Sequence, residues 1–212
     1  MRRLPVYLVI DTSGSMRGES INAVNVGIQS MLNALRQDPY ALESVYISII
    51  TFDNEAREIV PLTALEQFQF QDLSVPSSGA TFTGASLECL INSINRDVKK
   101  SNSEQKGDWR PMVFLMTDGK PSDMFAYTEA CKAIKNIAIA SIVCCAIGKK
   151  ADTEHLKLLS SQIVALETLD SNAFAGFFKW ISVSVASGSS SSGINISSDD
   201  LPPPPPEIQL VL

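Results

Sequence analysis

Histidine is nearly missing from this chain: His155 is the single one in 212 residues. Serine-based nucleophilic hydrolysis needs an adjacent base, and a lone histidine in a polar helical stretch is a poor one. Cysteine is scarce too. Cys89, Cys131, Cys144 and Cys145 are the only four, none in Cys-x-x-Cys spacing. Each lies in an apolar strand or helix face, so they read as reduced core residues. No apolar run reaches the roughly 18 residues of a membrane helix. Arg2 and Arg3 precede no leader-like apolar segment with a small-residue cleavage site. No secretory leader is expected, and the cytoplasm is the default compartment. Basic charge is in deficit: 17 Lys and Arg against 23 Asp and Glu give a net charge of −6. That balance argues against a broad nucleic-acid surface. No Gly-Lys-Ser/Thr phosphate loop or glycine-rich kinase signature occurs, so nucleotide hydrolysis is not expected.

What the chain has is a core. Hydrophobic residues make up 45% of it, enough for one large domain. Apolar runs at Val6–Ile10, Val45–Phe52, Met112–Thr117 and Ala140–Ile147 read as strands, with a short one at Ile163–Leu166. Between them, helical spacing marks Gly18–Arg36, stopped by Pro39, then a helix through Leu87, Leu90, Ile91, Ile94 and Val98. Further helices follow Asp123, cover Ala151–Leu159, and carry Phe174, Phe177, Phe178, Ile181 and Val185. Asp53-Asn54-Glu55 is a turn into an antiparallel edge strand, Ala56–Leu62. Phe68, Phe70 and Leu73 pin the irregular segment 63–80, and Lys99–Asp108 is a solvated loop with mixed charge. The alternation predicts a doubly wound α/β fold: a mostly parallel central sheet, one antiparallel edge strand, helices on both faces. The domain is expected to span 1–186. Residues 187–212 form a tail, Ser/Gly-rich to Ser198 and expected to be flexible there. Asp199-Asp200-Leu201, five prolines (Pro202–Pro206) and an apolar end follow. Two readings of that end stand: disorder, or a strand docking on a sheet edge, its own or a partner's.

The chemistry is concentrated at Asp11-Thr12-Ser13-Gly14-Ser15, directly after the first apolar run. A carboxylate ending a buried strand must be satisfied, and no Lys or Arg lies within the motif. A bound cation would satisfy it, and an all-oxygen set selects a hard one, Mg²⁺, Mn²⁺ or Ca²⁺. A plain loop with a helix N-cap is the competing reading. A second acidic turn, Thr117-Asp118-Gly119, ends another apolar run, and Gly79-Ala80-Thr81-Phe82-Thr83-Gly84 opens a helix between them. In this loop Thr83 is close to a helix start and is a candidate N-cap. Asp53, Asp123 and Glu19 are further carboxylates near the motifs. With Asp123 and Glu19, metal-assisted phosphohydrolysis stands as an alternative, although Asp123 reads as the cap of the helix that follows; Asp53 is a candidate metal ligand, but turn chemistry accounts for it.

The order DxSGS, TxTG, TDG resembles the metal-ion-dependent adhesion site of von Willebrand factor type A domains, over roughly residues 4 to 186. The resemblance implies that Asp11, Ser13, Ser15, Thr81 and Asp118 hold a divalent cation, most simply Mg²⁺. Asp11 and Asp118 then share one crevice, and an open coordination position takes a Glu or Asp carboxylate from a protein partner. It implies an interaction module and no enzyme; a structural domain with an inactive site is the remaining alternative. More narrowly, Arg2-Arg3-Leu4-Pro5, Val60-Pro61-Leu62-Thr63, Lys106–Pro111 and Phe177-Phe178-Lys179-Trp180 resemble TerY-type proteins associated with bacterial tellurium resistance. That likeness implies a cytoplasmic stress-response adaptor, with a protein kinase and a PP2C-type phosphatase as partners; charge and hydropathy lead to the expectation of no nucleic acid and no membrane. Trp109 and Trp180 are expected in the core rather than at a contact.

Overall fold

A computed structural model describes residues 2–76, 79–103, 105–148, 151, 153–166, 171–190, 201–204 and 209–211. The elements run β1 (Leu4–Asp11), a 3-10 turn (Gly14–Met16), α1 (Glu19–Arg36), α2 (Pro39–Ser44), β2 (Val45–Phe52), β3 (Ala56–Ala64) and α3 (Thr83–Asp97). Then come β4 (Met112–Thr117), α4 (Met124–Ile134), β5 (Ser141–Ile147), α5 (Thr153–Leu156), β6 (Gln162–Leu166), α6 (Ser171–Ser190) and β7 (Gln209–Val211).

The strands form one sheet in the order β3-β2-β1-β4-β5-β6-β7. β1, β2, β4, β5 and β6 are parallel, and β3 runs antiparallel at one edge. The short β7 pairs antiparallel with β6 at the other edge, an addition to the expected single edge strand. Parallel strands are covered on both faces, so they are apolar throughout; all eight residues of β1 are buried. One layer of core packs α1 and α6 against the sheet, through Val24, Ile28, Met31 and Phe174, Phe177, Phe178. The other packs α3 and α4 against the opposite face, through Leu87, Leu90, Tyr127 and Ile134. The four cysteines are free, and all but the half-buried Cys89 are buried.

Local chemistry departs from the sequence reading at several points. Pro39 does not merely stop α1. It opens α2, whose first N–H groups, those of Tyr40 and Ala41, donate to the Asp38 carboxylate at 2.9 and 3.0 Å; proline is well suited to a first helical turn. The 63–80 segment is pinned as expected: Phe68 and Leu73 are buried, and the Asn25 side chain exchanges two hydrogen bonds with the Leu73 backbone. The loop before β4 is more tightly built than its composition indicates. Arg3 pairs with Asp108 at 2.5 Å, Arg2 donates to the carbonyls of Gly107 and Asp108, and the Arg2 guanidinium stacks 3.8 Å from the Trp109 ring centre. Trp180 is buried and Trp109 half-buried against the core. α6 continues through Ser190, so residues 187–190 are helical rather than flexible linker; residues 191–200, with Asp199 and Asp200, lie outside the described residues.

Candidate metal centre

The chain order reverses beside β1, whose neighbours are β2 and β4. In such a sheet the crevice at the carboxyl ends of the two central strands is the natural ligand site. β1 ends there in Asp11, and Asp118 follows β4 directly.

Asp11 is fully buried. Its carboxylate accepts from the Ser13 N–H at 2.8 Å and from the Thr117 hydroxyl at 2.6 Å. The first bond turns the chain out of the strand so that Ser13 and Ser15 point at the crevice. The Ser13 and Ser15 hydroxyl oxygens lie 3.2 Å apart, and the Ser15 hydroxyl donates to Asp118 at 2.7 Å. Thr81 arrives from the loop before α3. A methyl group built on Gly119, next to Asp118, would sit 3.4 Å from the Thr81 hydroxyl oxygen. Thr81 is thus at the same crevice as the other four residues, and the structure brings together all five that the motifs single out.

Electrostatics mark the cluster as incomplete on its own. Burial pushes the Asp11 carboxyl up to about 6, against its hydrogen bonds to Ser13 and Thr117, with the nearby Asp118 charge adding to the rise. Burial likewise raises Asp118, against the Ser15 hydrogen bond. No ion pair to either carboxylate occurs among the described residues. A positive charge at the crevice would relieve both.

The donor set fits a hard divalent cation. In an octahedral shell with bonds of about 2.1 Å, neighbouring oxygens sit about 3.0 Å apart. The Ser13–Ser15 and Ser15–Asp118 separations of 3.2 and 2.7 Å bracket that spacing. Among the described residues no cluster of three or more His, Cys, Asp or Glu side chains forms. The site is therefore rich in neutral hydroxyls and carries only two carboxylates, which leaves much of a cation's charge available to an outside acceptor.

Two of the remaining carboxylates, Asp53 and Asp123, hold backbone in place. Asp53 accepts from the Glu55 N–H at 3.0 Å, as turn chemistry requires, and its backbone carbonyl accepts from Phe82 N–H at 2.7 Å, mooring the Thr81 loop. Asp123 occupies the position before α4, but its side chain caps a different helix. Its two oxygens accept from the Gly84 and Ala85 N–H groups, at 3.0 and 2.9 Å, at the start of α3. Thr83 is the first residue of α3 rather than its N-cap, a position that Phe82 holds without a side-chain cap. Ser122 adds two more bonds to the same loop, its N–H to the Thr81 carbonyl at 2.8 Å and its hydroxyl from the Thr81 N–H at 3.2 Å. Gly84 is needed for this approach, since a Cβ there would run into the backbone of Ala126 and Tyr127. Glu19 is exposed at the start of α1, and His155 lies in the short α5. The Ser122–Asp123 clamp was not visible as such in the sequence; its signal was an Asp immediately before α4, which reads as a cap for that helix.

The model of the von Willebrand factor type A domain matches residues 6–175. No curated protein matches the chain. Among solved structures, the pilus adhesin SpaC of Lactobacillus rhamnosus GG in its open conformation superposes with a TM-score of 0.71 at 14% identity, covering 89% of this chain and 30% of the adhesin. A von Willebrand factor type A protein of Catenulispora acidiphila gives 0.67 at 16% identity, covering 87% and 43%. Proximal thread matrix protein 1 of the mussel byssus, with a zinc-occupied MIDAS motif, gives 0.59 at 16% identity, covering 85% and 46%. The chain spans less than half the length of each of these three. By the extent of the family match, and with the sheet order and crevice in agreement, the chain belongs to the von Willebrand factor type A domain family.

Proposed function

We propose that the chain is a protein-interaction module that captures an acidic side chain of a partner through a divalent cation held by Asp11, Ser13, Ser15, Thr81 and Asp118. The observation that carries this reading is the convergence at one crevice of three hydroxyls and two burial-raised carboxylates that form no ion pair among the described residues. A cation bound mainly by neutral oxygens retains charge, and a Glu or Asp carboxylate from outside completes its shell and neutralises it. The hard oxygen set favours Mg²⁺, with Mn²⁺ or Ca²⁺ as alternatives; the zinc site of the mussel protein keeps Zn²⁺ in the comparison.

An adaptor role without catalysis is supported by where the other carboxylates are. Asp123, a further carboxylate near the motifs, spends both oxygens on α3. The likeness of the four short sequence segments to TerY-type proteins supports a cytoplasmic place in a bacterial stress or tellurium-resistance system, with a protein kinase and a PP2C-type phosphatase as partners. Phe125, 84% exposed at the start of α4, offers an apolar footing close behind Asp118 in the chain. The test is capture of partner protein on the immobilised chain. Retention in Mg²⁺, release by a chelator and no retention by Asp118→Ala are expected. Equal retention with and without chelator would overturn the metal bridge.

A further inference from the structure

The chain's far end returns to the domain at two places that the metal-site reading does not use. The Trp180 indole N–H, on α6, donates to the Pro202 carbonyl at 2.7 Å. Leu201 packs half-buried against the larger core cluster. Eight positions on from Leu201, Gln209–Val211 pair antiparallel with β6, with Ala165 opposite Gln209, Val164 opposite Leu210 and Ile163 opposite Val211. On its other side β6 pairs with β5. β7 therefore stands on what would otherwise be an open edge of a parallel sheet. That edge is a ready template for strand addition, because its N–H and C=O groups point outward and Ile163, Val164 and Leu166 are buried.

We propose that Trp180 and the β6 edge together form a peptide-binding site, and that Leu201, Pro202 and Gln209–Val211 belong to its built-in, displaceable ligand. Two independent features support a ligand-like relation rather than a simple extension of the core. First, the recognition elements are those of peptide docking. A buried indole donates to a carbonyl next to proline, in a proline-rich stretch that gives up little entropy on binding because its backbone is already restricted. Second, the strand contributes backbone pairing over only three residues. Attachment to the same chain, where the effective concentration is of millimolar order, keeps competing peptides out; once the linker is cut, a segment held by so few backbone bonds can exchange. The ligand chemistry that fits is thus an apolar residue followed by prolines and then an extended segment.

The test uses the full chain with a specific protease sequence placed within 191–198, so that every described residue is kept. After cleavage of the folded protein, the C-terminal fragment is expected to co-elute with the domain, and a labelled synthetic peptide of residues 199–212 to exchange into the cut chain but not into the uncut one. Displacement should shift Trp180 emission and speed hydrogen exchange of the β6 amides. Trp180→Phe, which keeps an aromatic side chain but loses the N–H together with the pyrrole half of the indole, should weaken retention about five- to tenfold. If the fragment leaves on cleavage with Trp180 emission and β6 exchange unchanged, the segment is no ligand. If it stays but never exchanges, it is a fixed part of the fold, and the proposal fails as well.

Discussion

At the scale of single residues, Asp11 carries the most physical information. Its carboxyl titrates near 6 because it is buried, against about 3.8 for the free group. Between those values the folded chain holds a proton that the unfolded chain releases, so stability falls as pH rises from about 4 to about 6, and the penalty is complete above that. A shift of this size corresponds to a cost on the order of 3 kcal/mol. Asp11→Asn removes it. In urea unfolding without divalent cations, the variant is therefore expected to gain on the parent chain as pH rises through that window. Saturating Mg²⁺ is expected to cancel the gain, because it stabilises the ionised carboxylate of the parent only. A difference that does not change with pH would show that Asp11 is satisfied by its hydrogen bonds alone. Thr81 gives a second residue-level expectation. Thr81→Val keeps shape and removes one ligand oxygen, so metal affinity should drop about tenfold with unchanged urea stability; equal affinity would place Thr81 outside the coordination shell. Asp11 and Asp118 were legible in the sequence because each ends an apolar strand and a buried charge needs a counter-charge; Ser13, Ser15 and Thr81 joined them through the resemblance to the adhesion-site motif, since Thr81 follows no apolar run.

At the scale of elements, the clamp between the start of α3 and the turn before α4 decides how firmly Thr81 is held. Asp123→Ala leaves two N–H groups of α3 without their acceptor. It is expected to cost about 1–2 kcal/mol in urea unfolding and to weaken metal affinity severalfold by loosening the loop. Asp123→Asn keeps one acceptor oxygen and should recover part of both. A loss of stability with unchanged calorimetric metal affinity would separate the clamp from the site. This clamp could not be read from the sequence, because its partners stand about 40 positions apart and an Asp before a helix ordinarily caps that helix. α2 was missed for a related reason: proline ends one helix or begins the next, and the Asp38 cap that decides between them becomes clear only once the backbone is placed. β7 was half legible. Its alternating apolar residues permit a strand, but nothing local names β6 as its partner. The parallel strands and the long amphipathic helices were plain, since burial on both faces and the 3.6-residue period leave strong patterns.

At the scale of the whole molecule, the sheet places a rigid crevice between β1 and β4 and presents it at one end of the domain. The loops around it are fastened by Asp53, Ser122 and Asp123, so the site is largely preformed. Partner recognition should then divide into two separable parts. Phe125→Ala, on the exposed start of α4, is expected to weaken retention of the captured partner about tenfold while leaving metal affinity as it was; unchanged retention would remove α4 from the contact surface. The proposed cation is the central claim, and calorimetric titration of Mg²⁺, and in parallel Mn²⁺, Ca²⁺ and Zn²⁺, into the purified chain and into Asp118→Ala addresses it most directly. Saturable binding at one site in the parent chain, lost in the variant with its fold intact, is expected. Binding that is equal in the two proteins, or absent from the parent in every metal, would contradict a cation held at the crevice.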